Sequence, residues 1–205
     1  IYQSRAFVYH SKHVDNDGHV VPTNAELYYS AEAFLFMCHK WSNPELLKKL
    51  IAIYTNGTSH QKKALAEYYR RKFDVSVVGI TGSVGKTSTK DMIASVLEQS
   101  AKTHRTKGNL NNEIGVPLTV YELMKDDEFM VIEMGMSNFG EISGLTRIAK
   151  PDTAVITNIG VSHIEHLGSR EGIRKAKLEI LEGLKIDGTV ILNGDDDMLW
   201  GIGEE

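Results

Sequence analysis

The sequence predicts an α/β protein: a doubly wound, mostly parallel sheet with a phosphate-binding loop, preceded by a small α+β segment. Three observations carry that expectation. Short, nearly continuous β-branched runs recur through the last two-thirds of the chain, as strands buried on both faces require. Stretches with apolar residues at helical spacing separate them. A glycine-rich stretch, Gly79-Ile80-Thr81-Gly82-Ser83-Val84-Gly85-Lys86-Thr87-Ser88, links the first run to the first of those helices. Strand, glycine-rich turn, helix is the context in which a phosphate loop works.

The elements follow in order. Val14 to Val21 reads as a hairpin turned at Asp17-Gly18, a dipeptide that favours tight hairpin turns. Ser42-Asn43-Pro44 opens a helix carrying Leu46, Leu47, Leu50, Ile51 and Ile53, with proline near the first turn. Lys63 to Lys72 reads as a second helix, with Ala64, Leu65 and Tyr68 on one side. The composition changes near Phe73, so residues 1–72 form an N-terminal segment and residues 73–205 the α/β unit. Strands are expected at Val75–Ile80, Phe129–Met134, Ala154–Ile159 and Thr189–Asn193. Helices are expected at Thr87–Gln99, with Met92, Ile93, Val96 and Leu97 apolar, and at Glu171–Leu184, ended by Gly188. A sheet of this kind binds its ligand at the carboxyl ends of its strands.

Composition narrows the function. The 205 residues include 23 Lys+Arg and 27 Asp+Glu, a formal net charge of −4. Mild acidity argues against a nucleic-acid surface as the main business. The longest apolar stretches, such as Ala33 to Cys38, are far short of the ~18 residues of a membrane span, and the start has no signal-peptide pattern. The single cysteine, Cys38, excludes an internal disulfide and fits a reducing, cytoplasmic setting. The chain starts at Ile1 and stops at Glu205 just after a strand, which leads us to expect a fragment of a longer protein.

Five groups of residues carry chemistry. In the glycine-rich stretch, backbone N–H groups turn inward to cradle phosphate oxygens, helped by the helix N-terminus. Lys86 reaches the β- and γ-phosphates and Thr87 supplies a hydroxyl to Mg²⁺. The common pattern places glycine five residues before Gly85, where this chain has Ile80. Glu133 interrupts an apolar strand, where an unpaired carboxylate would cost several kcal/mol; it is either a Mg²⁺ ligand or half of a structural ion pair. Lys177 shares the apolar stripe of Ile173, Ile180, Leu181 and Leu184. It either snorkels to water or is a buried amine of lowered pKa, open to modification by CO₂ to a carbamate. His163 and His166 follow a strand end and suit either a metal or a plain surface. Thr106 to Pro117, rich in amides and glycines, is either a binding loop or a turn.

Other matches are weaker. Asp15-Asn16-Asp17-Gly18 is too short for a calcium loop. Asn56-Gly57-Thr58 is a glycosylation sequon without a secretory context. Asp195-Asp196-Asp197 reads as a solvated acidic turn.

Taken together, Thr81 to Asp91, Asn111 to Pro117, Glu133-Met134-Gly135-Met136, His163-Ile164-Glu165, Gly168 to Gly172 and Lys175-Ala176-Lys177 resemble the Mur ligase family, which makes amide bonds at the expense of ATP. The resemblance runs from about Tyr68 to Asp197, and the family's own version of the loop accommodates Ile80. The wording is nearest to members that add D-alanyl-D-alanine. The resemblance implies a central ATP-binding domain, incomplete at its C-terminus, in a monomeric cytoplasmic enzyme of peptidoglycan and cell-wall synthesis. Its substrates would be ATP, UDP-MurNAc-tripeptide and D-Ala-D-Ala, its intermediate an acyl phosphate, its by-products ADP and phosphate. Gly82, Ser83, Val84, Gly85, Lys86, Thr87 and Ser88 would hold ATP. Thr87 and Glu133 would hold one Mg²⁺, and His163 and a carbamylated Lys177 a second; Lys86, Lys177 and His163 would be catalytic. Asn111 and Asn112 would lie near the γ-phosphate and the substrate carboxylate. The competing expectations are another Mur-family ligase, a folylpolyglutamate synthase, or a nucleotide-binding fragment without ligase activity of its own.

Overall fold

The computed structural model describes residues 59–202 together with two short strands, β1 (His13–Val14) and β2 (Val20–Val21). These two pair antiparallel, His13 opposite Val21 and Val14 opposite Val20. The expected hairpin is there, but in a register one residue off that of a two-residue Asp17-Gly18 turn, whose residues lie outside the described ones. The helix expected after Pro44 lies outside the described residues.

Five further strands form one sheet: β3 (Ser76–Thr81), β4 (Thr103–Arg105), β5 (Phe129–Glu133), β6 (Thr153–Ile156) and β7 (Thr189–Leu192). Their order is β4-β5-β3-β6-β7, and all four pairings are parallel. The doubly wound expectation holds. The helices are α1 (Ser59–Arg70), α2 (Lys86–Leu97), α3 (Gly115–Tyr121), α4 (Glu141–Ala149), α5 (Ile164–Leu167) and α6 (Arg170–Leu178), and α6 tightens into a 3₁₀ turn at Glu179–Gly183.

Strand alternation sorts the core into two layers. Val77, Met130, Ile132, Ala154 and Ile156 face the larger layer, filled by α1, α3, α4 and α6. Ile80, Val131 and Val155 face the smaller one, where Ala94 of α2 packs with Ile93 and Leu97 partly buried. Since Val131 faces α2, Glu133 two residues on must face it too. That alternation places a carboxylate under the helix that opens at the glycine-rich loop.

Several expectations need correcting. In α1 the buried residues are Leu65, Ala66, Tyr69 and Arg70, while Tyr68 is 56% exposed and Ala64 is exposed. The anchor is aromatic: Tyr69 meets Phe73 at 5.1 Å and Tyr121 edge-on at 5.6 Å between ring centroids. Arg70 then ties the end of α1 to its surroundings, donating to the carbonyls of Ala149 (3.1 Å), Phe73 (2.9 Å) and Val75 (3.0 Å). In α2, Met92 and Val96 are exposed rather than packed, and Lys90 takes the inward place at 2% exposure.

The helix expected over Glu171–Leu184 stops at Leu178. Thr146 donates to the Ile180 carbonyl at 2.8 Å, and a Cβ at Gly183 would lie 2.4 Å from the Thr146 carbonyl oxygen. The close approach of α4 therefore tightens this last turn. Finally, β7 is not covered on both faces: Val190 and Ile191 are 39% and 50% exposed, because it is an edge strand with no described helix packed over it.

Candidate functional site

The site lies at the carboxyl end of β3, the middle strand, flanked by the ends of β5 and β6. The loop after β3 starts at Gly82, with φ +147°, and enters α2 at Gly85, with φ +81°. Both are conformations that L side chains rarely adopt, and glycine reaches them without strain. No side chain caps α2, so the N–H groups of its first turn, orphaned in any helix, face the cleft. Gly85, Lys86, Thr87, Ser88, Asn109, Asn111 and Glu133 line that cleft. Lys86 curls over the loop, its Nζ donating to the carbonyls of Gly82 at 2.8 Å and Ser83 at 3.4 Å. Burial lowers its pKa, and the Glu133 charge partly opposes that.

Glu133 is the hub. It is 1% exposed. Its Oε2 accepts from the Thr87 hydroxyl at 2.9 Å and its Oε1 from the Asn111 amide at 2.8 Å. Its own N–H donates to Thr106 Oγ1 at 3.0 Å. Lys90 Nζ stands 3.9 Å from Oε2 and donates to the Gly108 carbonyl at 3.2 Å. Of the two alternatives for Glu133, the structure shows the ion pair, with Lys90, and the carboxylate also converges with the Thr87 hydroxyl at the cleft. Hydroxyl and carboxylate oxygens are the hard donors Mg²⁺ takes, so this pair fits that ion.

The other expected residues separate. Asn111 joins the hub, whereas Asn112 turns away to open α3, its Oδ1 accepting from the N–H groups of Ile114 (3.1 Å) and Gly115 (2.9 Å). Lys177 is buried, 3% exposed, among Ile173, Ala176 and Ile180 on the stripe its spacing predicts. Burial, with a smaller push from the Lys86 charge, lowers its pKa to about 7. His163 is exposed and sits in a left-handed conformation at φ +64° where α5 begins. His166 is exposed beside Glu165, at 3.8 Å. Among the described residues no group of three or more His, Cys, Asp or Glu gathers as a metal set.

Sequence reasoning missed three features. Lys90 hides because a lysine on a helix reads as solvated; only the depth of Glu133 opposite reveals it. Asn158, just past β6, grips the loop with its side chain, accepting from Ser83 and Val84. The acidic turn braces the same segment: Asp196 accepts from the Ile159 N–H at 2.8 Å, and Asp197 pairs with Arg170, which also donates to the Ile159 carbonyl at 3.0 Å.

The profile of the Mur ligase middle domain matches residues 80–202. The chain belongs to the Mur ligase family. It is 52% identical over 147 residues to the UDP-N-acetylmuramoyl-tripeptide–D-alanyl-D-alanine ligase of Bacillus subtilis, a match covering 72% of this chain and 32% of that protein. Among solved structures it resembles MurF from Acinetobacter baumannii, with a TM-score of 0.69 and 39% identity over 73% of this chain and 33% of that one. It also resembles MurF ligase from Thermotoga maritima in complex with ADP, with a TM-score of 0.63 and 37% identity over 67% and 32%. The chain spans about a third of the length of these Mur ligases. No helix among its described residues is long and apolar enough to cross a membrane.

Proposed function

We propose that this chain is the ATP-binding part of a ligase that adds D-Ala-D-Ala to UDP-MurNAc-tripeptide, a monomeric cytoplasmic enzyme of peptidoglycan precursor synthesis. The observation that carries the reading is the convergence of the Gly82–Ser88 loop, Lys86, Thr87 and Glu133 on one cleft. The names of the relatives support the choice of amine and acceptor. Residues 1–72 form the preceding segment and 73–205 the nucleotide-binding unit, with α1 packed on the latter.

In this reading the loop binds the ATP polyphosphate and Lys86 leaves its two carbonyl partners for the β- and γ-phosphates. Mg²⁺, held by Thr87 and Glu133, supplies charge neutralisation on the transferring phosphoryl group. Asn111 orients the Glu133 carboxylate through their hydrogen bond, and Lys90 holds the loop of residues 106–112 against α2. The γ-phosphoryl passes to the terminal carboxylate of the tripeptide. The amine of D-Ala-D-Ala then attacks the acyl phosphate, releasing phosphate and leaving an amide. Asn112, its Oδ1 engaged at the start of α3, would reach substrate only through its amide NH₂, and His163 would hold a second Mg²⁺ from the exposed α5 turn.

Lys177 suits the carbamate role because its burial favours the uncharged amine, the form that adds CO₂ with release of one proton. Incubation with ¹³C-enriched bicarbonate is expected to give a carbamate carbon resonance in the native chain and none in Lys177→Met. The same spectrum in both would remove Lys177 from that role.

The test of the reading as a whole is calorimetric titration of Mg-ATP into the chain and into Lys86→Ala. Loss of the ammonium contacts should weaken binding on the order of tenfold to a hundredfold. In the full-length ligase it should abolish turnover with the fold intact. Equal binding by both forms would sink the assignment.

A further inference from the structure

The residues that leave β6 do more than end a strand. β6 runs beside β3, with Ile156 opposite Thr81, so the two chains emerge together and Thr157 N–H donates to the Thr81 carbonyl at 3.0 Å. Beyond that point the Ser83 N–H donates to the Asn158 backbone carbonyl at 3.1 Å, and side chains join in. Asn158 Oδ1 accepts from both Ser83 N–H, at 3.2 Å, and Val84 N–H, at 3.0 Å. Asn158 Nδ2 donates to the Val84 carbonyl at 3.2 Å. The Thr157 hydroxyl donates to the same carbonyl at 2.6 Å, and Ser83 Oγ accepts from Gly160 N–H at 2.8 Å. Gly82 makes room for this: a Cβ there would lie 1.9 Å from Thr157 Oγ1.

The arrangement divides the loop. Both its apex donors are taken up by Asn158: the Val84 N–H by the side chain alone, and the Ser83 N–H shared between the Asn158 backbone carbonyl and its Oδ1. Its second half, from Gly85 into the first turn of α2, keeps its donors toward the cleft.

We propose that Asn158 is a positioning residue of the phosphate loop: its carboxamide holds the Ser83–Val84 apex so that the nucleotide polyphosphate is met by the donors of Gly85, Lys86 and Thr87. The inference rests on the nucleotide reading of the loop and deepens it. The chemistry demands an amide. One planar group must accept two N–H bonds and donate to one carbonyl, all within one residue of the anion. An aspartate of the same shape would set its second oxygen against the Val84 carbonyl oxygen and place a negative charge beside the phosphates. Protonated, it would again offer one acceptor and one donor.

That difference makes the test specific. Mg-ADP binding is measured by calorimetry from about pH 8 to about pH 5 for the native chain, Asn158→Asp and Asn158→Ala, each variant taken relative to native at the same pH. Amide hydrogen exchange is followed in parallel, with β3 and α2 amides as the control for folding. Asn158→Asp is expected to bind on the order of tenfold more weakly at the high end. It should recover toward native as the pH falls through its carboxyl pKa, raised by the neighbouring anion. Asn158→Ala should be weakened at every pH, and the Val84 amide should exchange faster in it, while Ser83, which keeps the Asn158 backbone carbonyl, and the β3 amides stay protected. Native-like binding and exchange in Asn158→Asp at about pH 8 would overturn the proposal, as would a loss with no pH dependence that merely follows a fall in thermal stability. Failure of the native chain itself to bind Mg-ADP would overturn the nucleotide reading and this inference with it.

Discussion

Glu133→Gln is expected to destabilise the chain by about 3 kcal/mol or more, the usual consequence of removing one partner from a buried charge pair. Both side chains are 2% exposed, at 3.9 Å separation. The glutamine keeps the shape of the carboxylate and an oxygen for Thr87 or Asn111, so packing changes little. What it removes is the only buried carboxylate, among the described residues, that faces the Lys90 ammonium, since that of Asp91, at 3.6 Å, is 54% exposed. Lys90→Met is the mirror case: the carboxylate keeps its bonds from Thr87 and Asn111, so the loss should be smaller. The double variant removes both charges and should cost clearly less than the two single losses together. A coupling on the order of 1–3 kcal/mol is the mark of such a pair. Urea unfolding of the four proteins measures it, and strict additivity would show that Lys90 is held by the Gly108 carbonyl and not by Glu133.

That pair also illustrates which parts of the fold can be read from sequence. β3, β5, β6 and β7 announce themselves as β-branched runs, and the loop between β3 and α2 by its glycines. β4 does not: Thr103-His104-Arg105 has no apolar pattern, and its place comes from pairing with β5, a tertiary event. α3, of which only the first three residues fall within the expected loop, goes unread for the opposite reason. Gly115-Val116-Pro117-Leu118-Thr119-Val120-Tyr121 is buried at every position, so it has no polar face to give it a helical period. Its glycine, proline and β-branched residues also argue against a helix by propensity. Asn112 overcomes that locally by accepting from the first N–H groups of the helix. In the site, residues whose chemistry is intrinsic to a motif, Lys86, Thr87 and Glu133, are legible. Asn158 and Lys90 act across elements, β6 onto the loop and α2 onto β5, and no spacing along one chain encodes those adjacencies.

Lys177 lies between these cases, since its stripe betrays its burial and its burial sets a pH dependence. Its pKa falls from 10.5 to about 7 in the native chain. From about pH 7 to 10.5, therefore, the unfolded chain holds a proton that the native one has given up, and this group makes stability rise with pH. Below about pH 7 both states are protonated and the native state bears the full cost of a buried ammonium. At about 1.4 kcal/mol per pH unit, the gap corresponds to about 5 kcal/mol. Lys177→Met removes the charge and keeps most of the stem's packing. In CO₂-free buffer the variant should therefore be more stable than native by several kcal/mol near pH 6, and that advantage should shrink steadily as the pH rises toward 10. Unfolding midpoints at three pH values suffice to measure it. A pH-independent difference would mean that the ammonium reaches water, as a snorkelling lysine does. The amine would then have no reason to be neutral and receptive to CO₂ at neutral pH. Lys86→Ala supplies an independent arm: it removes the like charge that adds to the shift, so the Lys177 transition should move up in pH, but only modestly, because burial is the larger cause.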